Sequence, residues 1–131
     1  MGIAGPAAEG LLARATEVAA RAHAPYSGVR VGAVAVGASG GLHDGVNVES
    51  ASYGLTLCAE RAAVARLVAD GDGPILRIAV ARADGEPIVP CGACRQVLAE
   101  TGRDVVVVLE GPRGPIERPL SELLPDPFLL P

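Results

Sequence analysis

Aromatic side chains are scarce in this chain, whose 131 residues include no tryptophan, two tyrosines and one phenylalanine. A groove that stacks successive nucleotide bases requires more rings than these three. The formal net charge is −4, and no basic run is longer than two residues. Since a nucleic-acid-binding surface requires a patch of positive charge, we expect no nucleic acid among the partners.

Long apolar runs and a complete set of cysteine pairs are also lacking. No stretch reaches the roughly 20 apolar residues that are required to cross a bilayer, so we expect no membrane partner. No basic region followed by an apolar run stands at the N-terminus, so we predict no signal peptide. The three cysteines cannot all pair, which in a chain that is not exported favours metal or thiol chemistry over disulfides. We therefore expect a cytoplasmic protein.

Half of the residues are hydrophobic, which is too many for a disordered chain and sufficient for a compact core. The length and the absence of an internal repeat or linker predict a single domain over residues 1–131. Apolar spacing and turn residues predict, in order, helix, strand, strand, helix, strand, helix, strand and strand, at residues 6–22, 29–36, 42–48, 58–69, 75–81, 91–101, 105–109 and around Ile116. Because helices connect apolar strands, this order predicts the α/β class, with a three-layer α/β/α sandwich around a mixed five-stranded sheet.

All three cysteines lie in two short motifs, Cys58-Ala59-Glu60 and Cys91-Gly92-Ala93-Cys94. Three thiolates can hold a zinc ion and leave its fourth position open for water, as in catalytic zinc sites. Both motifs fall at predicted helix N-termini, where free N–H groups and a partial positive charge favour the thiolate. Glu60, in the first turn of its helix, is the natural group to carry the proton of that water. Arg61 and Arg95 are candidates to offset the negative charge of three thiolates.

Two other interpretations of these cysteines are open. A Cys-x-x-Cys pair by itself also occurs in zinc knuckles and in thiol–disulfide sites. A redox pair needs no third cysteine, and a closed structural zinc needs a fourth ligand, for which His23 and His43 are the spare soft side chains. Both histidines are predicted to face solvent, His23 near a helix end and His43 on the second strand. The combination with Glu60 therefore favours a catalytic zinc.

A polar loop joins the second strand to the second helix and contains Asn47 and Glu49. An amide and a carboxylate at this spacing can hydrogen-bond a polyol such as a sugar. The composition of the loop, taken alone, favours ordinary turn residues over a binding site. Spacing and composition leave both interpretations open.

Taken together, the motifs resemble the small three-cysteine cytidine deaminases. Cys-Ala-Glu combined with Cys-x-x-Cys is a known signature of zinc deaminases, whose glutamate is not a metal ligand. The segments that carry the resemblance are residues 24–27, 31–33, 47–61, 90–98 and 122–128. Because these segments are spread over nearly the whole chain, the resemblance is specific, and it implies a cytidine deaminase-like fold.

The resemblance implies a zinc enzyme with a defined metal site. The three ligands would be Cys58, Cys91 and Cys94. Glu60 would activate a water molecule and shuttle protons to N3 of the base and to the departing amino group. Arg61 would hydrogen-bond the cysteine sulfurs and moderate their charge.

The resemblance also implies contacts with a nucleoside substrate and with other subunits. The implied substrate contacts are Asn47, Glu49, Val29, Ala59, Tyr53 and Phe128. Among them, Asn47 and Glu49 would hold the ribose hydroxyls, in place of the ordinary loop that composition favours. Tyr53 and Phe128 would enter active sites partly across subunit boundaries, because such enzymes are usually homotetramers.

One position departs from the family pattern. The family usually has phenylalanine where this chain has Val29, and the smaller side chain implies weaker packing on the base or room for a different base. The leading hypothesis is hydrolytic deamination of cytidine and 2′-deoxycytidine to uridine and 2′-deoxyuridine plus ammonia, in pyrimidine salvage. The alternatives are a deaminase of a modified cytosine nucleoside such as blasticidin S, a non-catalytic zinc-binding module and, disfavoured by the acidic balance and few aromatics, a polynucleotide deaminase.

Overall fold

The computed structural model describes residues 6–131, which contain a mixed sheet of five strands. The strands are β1 (Val31–Val36), β2 (Leu42–Val46), β3 (Arg77–Arg82), β4 (Val106–Gly111) and β5 (Gly114–Pro119). The helices are α1 (Ala8–Ala19), α2 (Ala59–Ala69), α3 (Gly92–Thr101) and α4 (Leu120–Leu123), with a 3₁₀ turn at Tyr53–Leu55. The spatial order of the strands is β2-β1-β3-β4-β5.

The chain connections explain which strands run parallel. β1 and β2 are joined by the short turn at residues 37–41 and pair antiparallel, and β4 and β5 likewise form an antiparallel hairpin. β3 and β4 are parallel, because α3 lies between them and a parallel pair requires a crossover connection. β1 and β3 are antiparallel, so the sheet is mixed.

Helices cover both faces of this sheet. α1 covers one face through Leu11 and Ala15, which pack with Val34. α2 and α3 cover the other face through Leu67 and Leu98. All six residues of β1 are buried, as expected for a strand that is covered on both sides. The predicted three-layer α/β/α sandwich around a mixed five-stranded sheet is confirmed.

Two glycines let helices approach the sheet closely. A Cβ atom at Gly32 of β1 would stand 2.0 Å from the backbone oxygen of Ala15 in α1. A Cβ atom at Gly45 of β2 would stand 2.3 Å from the backbone nitrogen of Ala63 in α2. Both distances are far too short for a real contact, so only a residue without a side chain fits at these positions.

The element ends differ from the sequence predictions by a few residues. α1 ends at Ala19 rather than at residue 22, and β1 begins at Val31 rather than at residue 29. On the side of β1 that faces β2, the side chain of Asn47 bonds the backbone of Val29 and Val31. Pairing with β2 therefore begins only at Gly32, while Val31 still pairs with Arg82 of β3. No helix within residues 6–131 combines the length and the apolarity that crossing a membrane requires.

The prediction that His43 faces solvent is wrong. His43 is 7% exposed, and its Nδ1 and Nε2 lie 2.7 Å and 2.8 Å from carboxylate oxygens of Asp70 and Asp72. These aspartates follow α2 and are 27 and 29 residues away in sequence, a separation at which a strand pattern reveals no partner. His23 is exposed, as predicted.

Candidate active site

Two helix N-termini bring the three cysteine sulfurs together. Cys58 caps α2 and Cys91 caps α3, with Cys94 in the first turn of α3. The Sγ atoms of Cys58 and Cys91 are 3.9 Å apart, those of Cys91 and Cys94 are 3.5 Å apart, and all three lie within 4.8 Å of one another. A tetrahedral zinc with Zn–S bonds of about 2.3 Å sets its sulfurs about 3.8 Å apart. The spacing therefore fits this metal.

The surroundings shift the pKa values of Cys91 and Cys94 in opposite directions. Burial raises the pKa of the Cys94 thiol far above its ordinary range, and the nearby Glu60 carboxylate adds to the increase. Burial likewise acts to raise the pKa of Cys91, but hydrogen bonds from the Cys94 backbone and from the neighbouring thiols outweigh it, so the net shift is downward. Three thiolates this close repel one another, and a divalent cation is the group that makes all three stable.

Arg61 is the positively charged side chain that contacts a cysteine sulfur within residues 6–131. Its Nη2 donates to Cys58 Sγ at 3.5 Å and to the backbone oxygen of Thr56 at 3.1 Å. The hydrogen bond to Cys58, joined by one to Cys94, raises the pKa of Arg61. Arg95, the other candidate from the sequence, instead donates to backbone oxygens of Pro90 and Leu123.

Glu60 lies in the first turn of α2, where it is 5% exposed. Burial raises the pKa of its carboxyl group above the ordinary value, while the Glu60 backbone, the Cys94 thiol and the charge of Arg61 act in the opposite direction. A carboxyl group whose pKa is moved toward neutrality can both accept and return a proton. The structure thus places a buried carboxyl group with a raised pKa beside the three sulfurs, and its role as a proton carrier stays a prediction.

The side chains of Asn47 and Glu49 hold the segment that leads into β1. Asn47 Oδ1 accepts a hydrogen bond from Val31 N, and Asn47 Nδ2 donates to Val29 O, both at 2.8 Å. Glu49 Oε1 accepts from the backbone N–H groups of Tyr26 at 2.9 Å and Ser27 at 3.1 Å. These bonds leave one amide N–H on Asn47 and part of the Glu49 carboxylate for another partner.

Glu49 lines an open cavity of about 390 Å³. The lining residues are Tyr26, Ser27, Glu49, Ser50, Tyr53 and Thr56. The backbone oxygen of Thr56 accepts a hydrogen bond from Arg61 Nη2, and the same nitrogen donates to Cys58 Sγ. Arg61 therefore links a residue that lines the cavity to one of the three sulfurs. A cavity of this kind, with one carboxylate and several hydroxyl groups, suits a small polar ligand.

The remaining predicted substrate residues are Tyr53, Phe128, Val29 and Ala59. Tyr53 lines the cavity and is 81% exposed, while Phe128 is 72% exposed and its backbone is bonded by Gln96 of α3. Val29 packs against the core cluster that contains Ala59, which is fully buried. Substrate contacts of these four residues therefore stay predictions.

Sequence reasoning assigned no role to Ser27 and Thr56. Ser27 bonds Glu49 through both its backbone N–H and its hydroxyl group, and Thr56 Oγ1 accepts from the backbone N–H of Ser50. Serine beside a turn glycine is a frequent local hydrogen-bonding residue, which is the signal in Ser27-Gly28 that points to such a contact. Nothing in the local sequence identifies Glu49, 22 residues away, as its partner.

The fold and the cluster define a class of protein, a three-layer α/β/α zinc protein with a buried carboxyl group beside the metal. The sequence profile described as the cytidine and deoxycytidylate deaminase zinc-binding region matches residues 7–110. The chain belongs to this family. The predicted resemblance and the zinc cofactor are thereby confirmed.

Individual relatives agree with this assignment. The cytidine deaminase of Mycobacterium tuberculosis is 46% identical over 118 residues, which are 90% of this chain and 86% of that protein. The cytidine deaminase of Halalkalibacterium halodurans is 42% identical over 120 residues, 90% of this chain and 91% of that protein. The crystal structure of the M. tuberculosis cytidine deaminase superposes with a TM-score of 0.82 at 45% identity, covering 92% of this chain and 95% of that chain. The crystal structure of cytidine deaminase from Burkholderia pseudomallei superposes with a TM-score of 0.82 at 42% identity, covering 91% of this chain and 97% of that chain.

Proposed function

We propose that this protein hydrolyses cytidine and 2′-deoxycytidine to uridine and 2′-deoxyuridine, with release of ammonia. The observation that carries the proposal is the arrangement at the start of α2 and α3. Three sulfurs stand at zinc-binding distances there, and the buried Glu60 follows Cys58 by two residues. The 46% identity to a cytidine deaminase over 90% of the chain supports the same activity.

Glu60 performs the proton transfers of this reaction. Cys58, Cys91 and Cys94 would hold the zinc ion, which would supply the positive charge that makes water a nucleophile at neutral pH. Glu60 accepts one proton from water as the water oxygen bonds to C4, and it delivers this proton to N3. It then accepts the second proton from the new C4 hydroxyl group, which becomes the carbonyl, and delivers it to the amino group. The C4–N bond then breaks, and ammonia leaves. Burial of Glu60 favours this role, because it moves the carboxyl pKa toward the operating pH.

Asn47 and Glu49 bind the sugar in this proposal. Three hydrogen bonds from Tyr26 and Ser27 occupy most of the Glu49 carboxylate, which has about four acceptor positions. One acceptor on Glu49 and one N–H on Asn47 suit a single hydroxyl group, which donates once and accepts once. A single recognised hydroxyl supports activity on both ribose and 2′-deoxyribose nucleosides, provided that both sugars carry it.

The available side chains argue against a closed structural zinc. His23 is exposed, and both ring nitrogens of His43 are committed to Asp70 and Asp72. The metal-binding group found within residues 6–131 consists of three cysteines and no fourth ligand. A coordination position left for water therefore remains the better interpretation. The residues that line the cavity include no cation, which argues against a nucleotide phosphate as part of the substrate.

We further propose a cytoplasmic homotetramer of single-domain subunits, active in pyrimidine salvage, with active sites shared between subunits. Tyr53, Leu55, Phe128 and Leu130 are each more than 70% exposed in the single chain. Large apolar side chains in such numbers favour burial against other copies. The three free cysteines suit a reducing compartment, and the one sheet formed by residues 6–131 supports the single domain.

The test is the ultraviolet absorbance change when purified, zinc-loaded protein meets cytidine, 2′-deoxycytidine, their monophosphates and blasticidin S. We expect turnover of both nucleosides and little of the monophosphates. Faster turnover of blasticidin S than of cytidine would favour the modified-nucleoside alternative. No absorbance change with any of the five, in protein that contains one zinc per chain, would favour the non-catalytic zinc module.

A further inference from the structure

Ser27 lines the cavity and makes three local hydrogen bonds there. Its hydroxyl group donates to Glu49 Oε2, and its backbone N–H donates to Glu49 Oε1 at 3.1 Å. The same hydroxyl oxygen accepts from Val29 N at 3.0 Å. The direction of each bond is fixed, because an ionised carboxylate only accepts and a backbone N–H only donates.

These contacts control how Glu49 presents its carboxylate. A free glutamate side chain has several rotamers of similar energy, and ordering it costs free energy. The two bonds from Ser27, with a third from Tyr26 N, hold both oxygens and leave one acceptor position on Oε2. The hydrogen bonds from Ser27 also hold the pKa of Glu49 below its ordinary value, so the group stays ionised as a hydrogen-bond acceptor.

We propose that Ser27 is a positioning residue that aims the Glu49 carboxylate at the sugar hydroxyl group of the substrate. The inference rests on the proposed function, since it takes Glu49 as the sugar-binding group. Ser27 lies at the rim and has no contact with the sulfurs or with Glu60 among its hydrogen bonds in the described part of the chain. It therefore affects substrate binding and leaves the proton transfers unchanged.

The chain offers a matched control in Ser39. Its hydroxyl group donates to Asp72 Oδ2 at 2.9 Å, its backbone N–H donates to Asp72 Oδ1 at 2.9 Å, and Gly41 N donates to its hydroxyl oxygen at 3.1 Å. This arrangement repeats the three contacts of Ser27. It lies in the β1–β2 turn, at the opposite end of β1 from Val29. Loss of its hydroxyl group removes the same bonds far from the cavity.

The test compares steady-state kinetics of Ser27→Ala, Ser27→Thr and Ser39→Ala in the zinc-loaded enzyme. We expect Ser27→Ala to raise KM for cytidine about tenfold with kcat within about twofold, as loss of a hydrogen bond to a charged group predicts. Ser27→Thr keeps the hydroxyl group and restores KM. Ser39→Ala keeps the KM of the wild type. If Ser27→Ala does not fold, Ser27→Cys makes the same comparison, because a thiol is a weak donor.

A double-mutant cycle with Glu49→Gln shows whether the change in KM caused by Ser27→Ala acts through Glu49. If Ser27 acts through Glu49, Ser27→Ala changes KM little once Glu49 is already replaced. An unchanged KM in Ser27→Ala, an undiminished effect in the Glu49→Gln background, or an equal effect of Ser39→Ala would each overturn the inference. A wild-type protein that does not deaminate cytidine would instead overturn the proposed function, and the inference with it.

Discussion

Individual side chains in this protein take their properties from a few direct neighbours. Among the acidic residues within residues 6–131, Glu60 is the buried one, and it is also the one beside the sulfur cluster. Burial alone moves its pKa toward neutrality. The same carboxyl group on an exposed helix face would stay ionised and would be a poor proton donor.

Replacement of Glu60 by glutamine tests this role. We expect kcat for cytidine to fall by about 10²-fold to 10⁴-fold, because an amide cannot carry a proton between water and the base. Zinc content per chain, measured by elemental analysis, should stay the same, since Glu60 is not one of the three sulfur ligands. Glu17→Gln, on the exposed face of α1, is the control with normal kcat. Near wild-type activity of Glu60→Gln would rule out the proposed proton carrier.

His43 gives the protein a stability that depends on pH. Burial acts to lower the pKa of His43, but the hydrogen bonds to Asp72 and Asp70 outweigh it, and the pKa lies above its ordinary value. The stabilisation is therefore complete below about pH 6.5, the ordinary value, and is lost as the pH rises through the pKa in the folded protein. The pKa of Asp72 is lowered, chiefly by His43, so its contribution is lost only when the pH falls below about 4.

Urea unfolding of His43→Gln at several pH values tests this ion pair. We expect the variant to lose about 2 kcal/mol of unfolding free energy at pH 5.5, the strength of one hydrogen bond with a charged group. The difference from the wild type should shrink as the pH rises through the raised pKa of His43, because the folded wild type then loses the charge on its histidine. His23→Gln, at an exposed position, should show neither effect. A difference that is constant from pH 5.5 to pH 9 would contradict the charged His43.

At the scale of elements, the helices on the two faces of the sheet have different structural roles. α2 and α3 present the sulfurs at their N-termini, where the backbone N–H groups and the partial positive charge favour thiolates. α1 lies on the opposite face and stabilises the sheet, which it approaches closely over Gly32. Changes in α1 packing should therefore affect stability and leave the site intact.

Replacement of Gly32 by alanine tests the close approach of α1. The new Cβ would stand 2.0 Å from the Ala15 backbone oxygen, and overpacking of this kind costs about 1–3 kcal/mol. We expect a lower unfolding free energy in urea, with kcat per folded molecule unchanged. Gly10→Ala lies in α1 with no atom within 4 Å of its new Cβ, and it should gain about 0.5–1 kcal/mol from helix propensity. Equal stability of the two variants would contradict this packing argument.

At the scale of the whole molecule, the single chain leaves two aromatic rings exposed to solvent. Tyr53 and Phe128 are more than 70% exposed, although the resemblance implies that both contact substrate. Gln96 of α3 holds the backbone of Phe128 at both its N–H and its oxygen, so the ring projects from a fixed point on the surface. A second subunit that receives this ring would explain both the exposure and the anchoring.

Mixed assemblies test whether active sites are shared. Glu60→Gln and Phe128→Ala subunits, co-expressed with different tags and purified together, should be more active than either variant alone. The reason is that some sites would combine the intact Glu60 of one subunit with the intact Phe128 of another. Cytidine turnover of the purified mixed assembly is the measurement. Glu60→Gln combined with Cys91→Ser should show no recovery, and activity equal to the average of the parent variants would contradict shared sites.

Much of the fold and the metal site could be predicted from local patterns. Helix and strand types follow from apolar spacing, and the three sulfurs follow from residue identity at two predicted helix starts. Element ends were less accurate, as at α1, whose last helical residue is Ala19 rather than residue 22. Helix ends depend on small differences between competing local hydrogen bonds, which a single sequence does not resolve.

By itself, the sequence determined the family and the zinc cofactor and predicted the proton carrier, because these follow from residue type and short spacing. Only the tertiary structure decided which groups those side chains meet. In the folded chain His43 contacts Asp72, 29 residues away, and Ser27 contacts Glu49, 22 residues away. Arg61 hydrogen-bonds a cysteine sulfur, whereas Arg95 hydrogen-bonds a backbone oxygen instead. Such contacts depend on how the whole chain packs, and no local periodicity carries information about partners that distant.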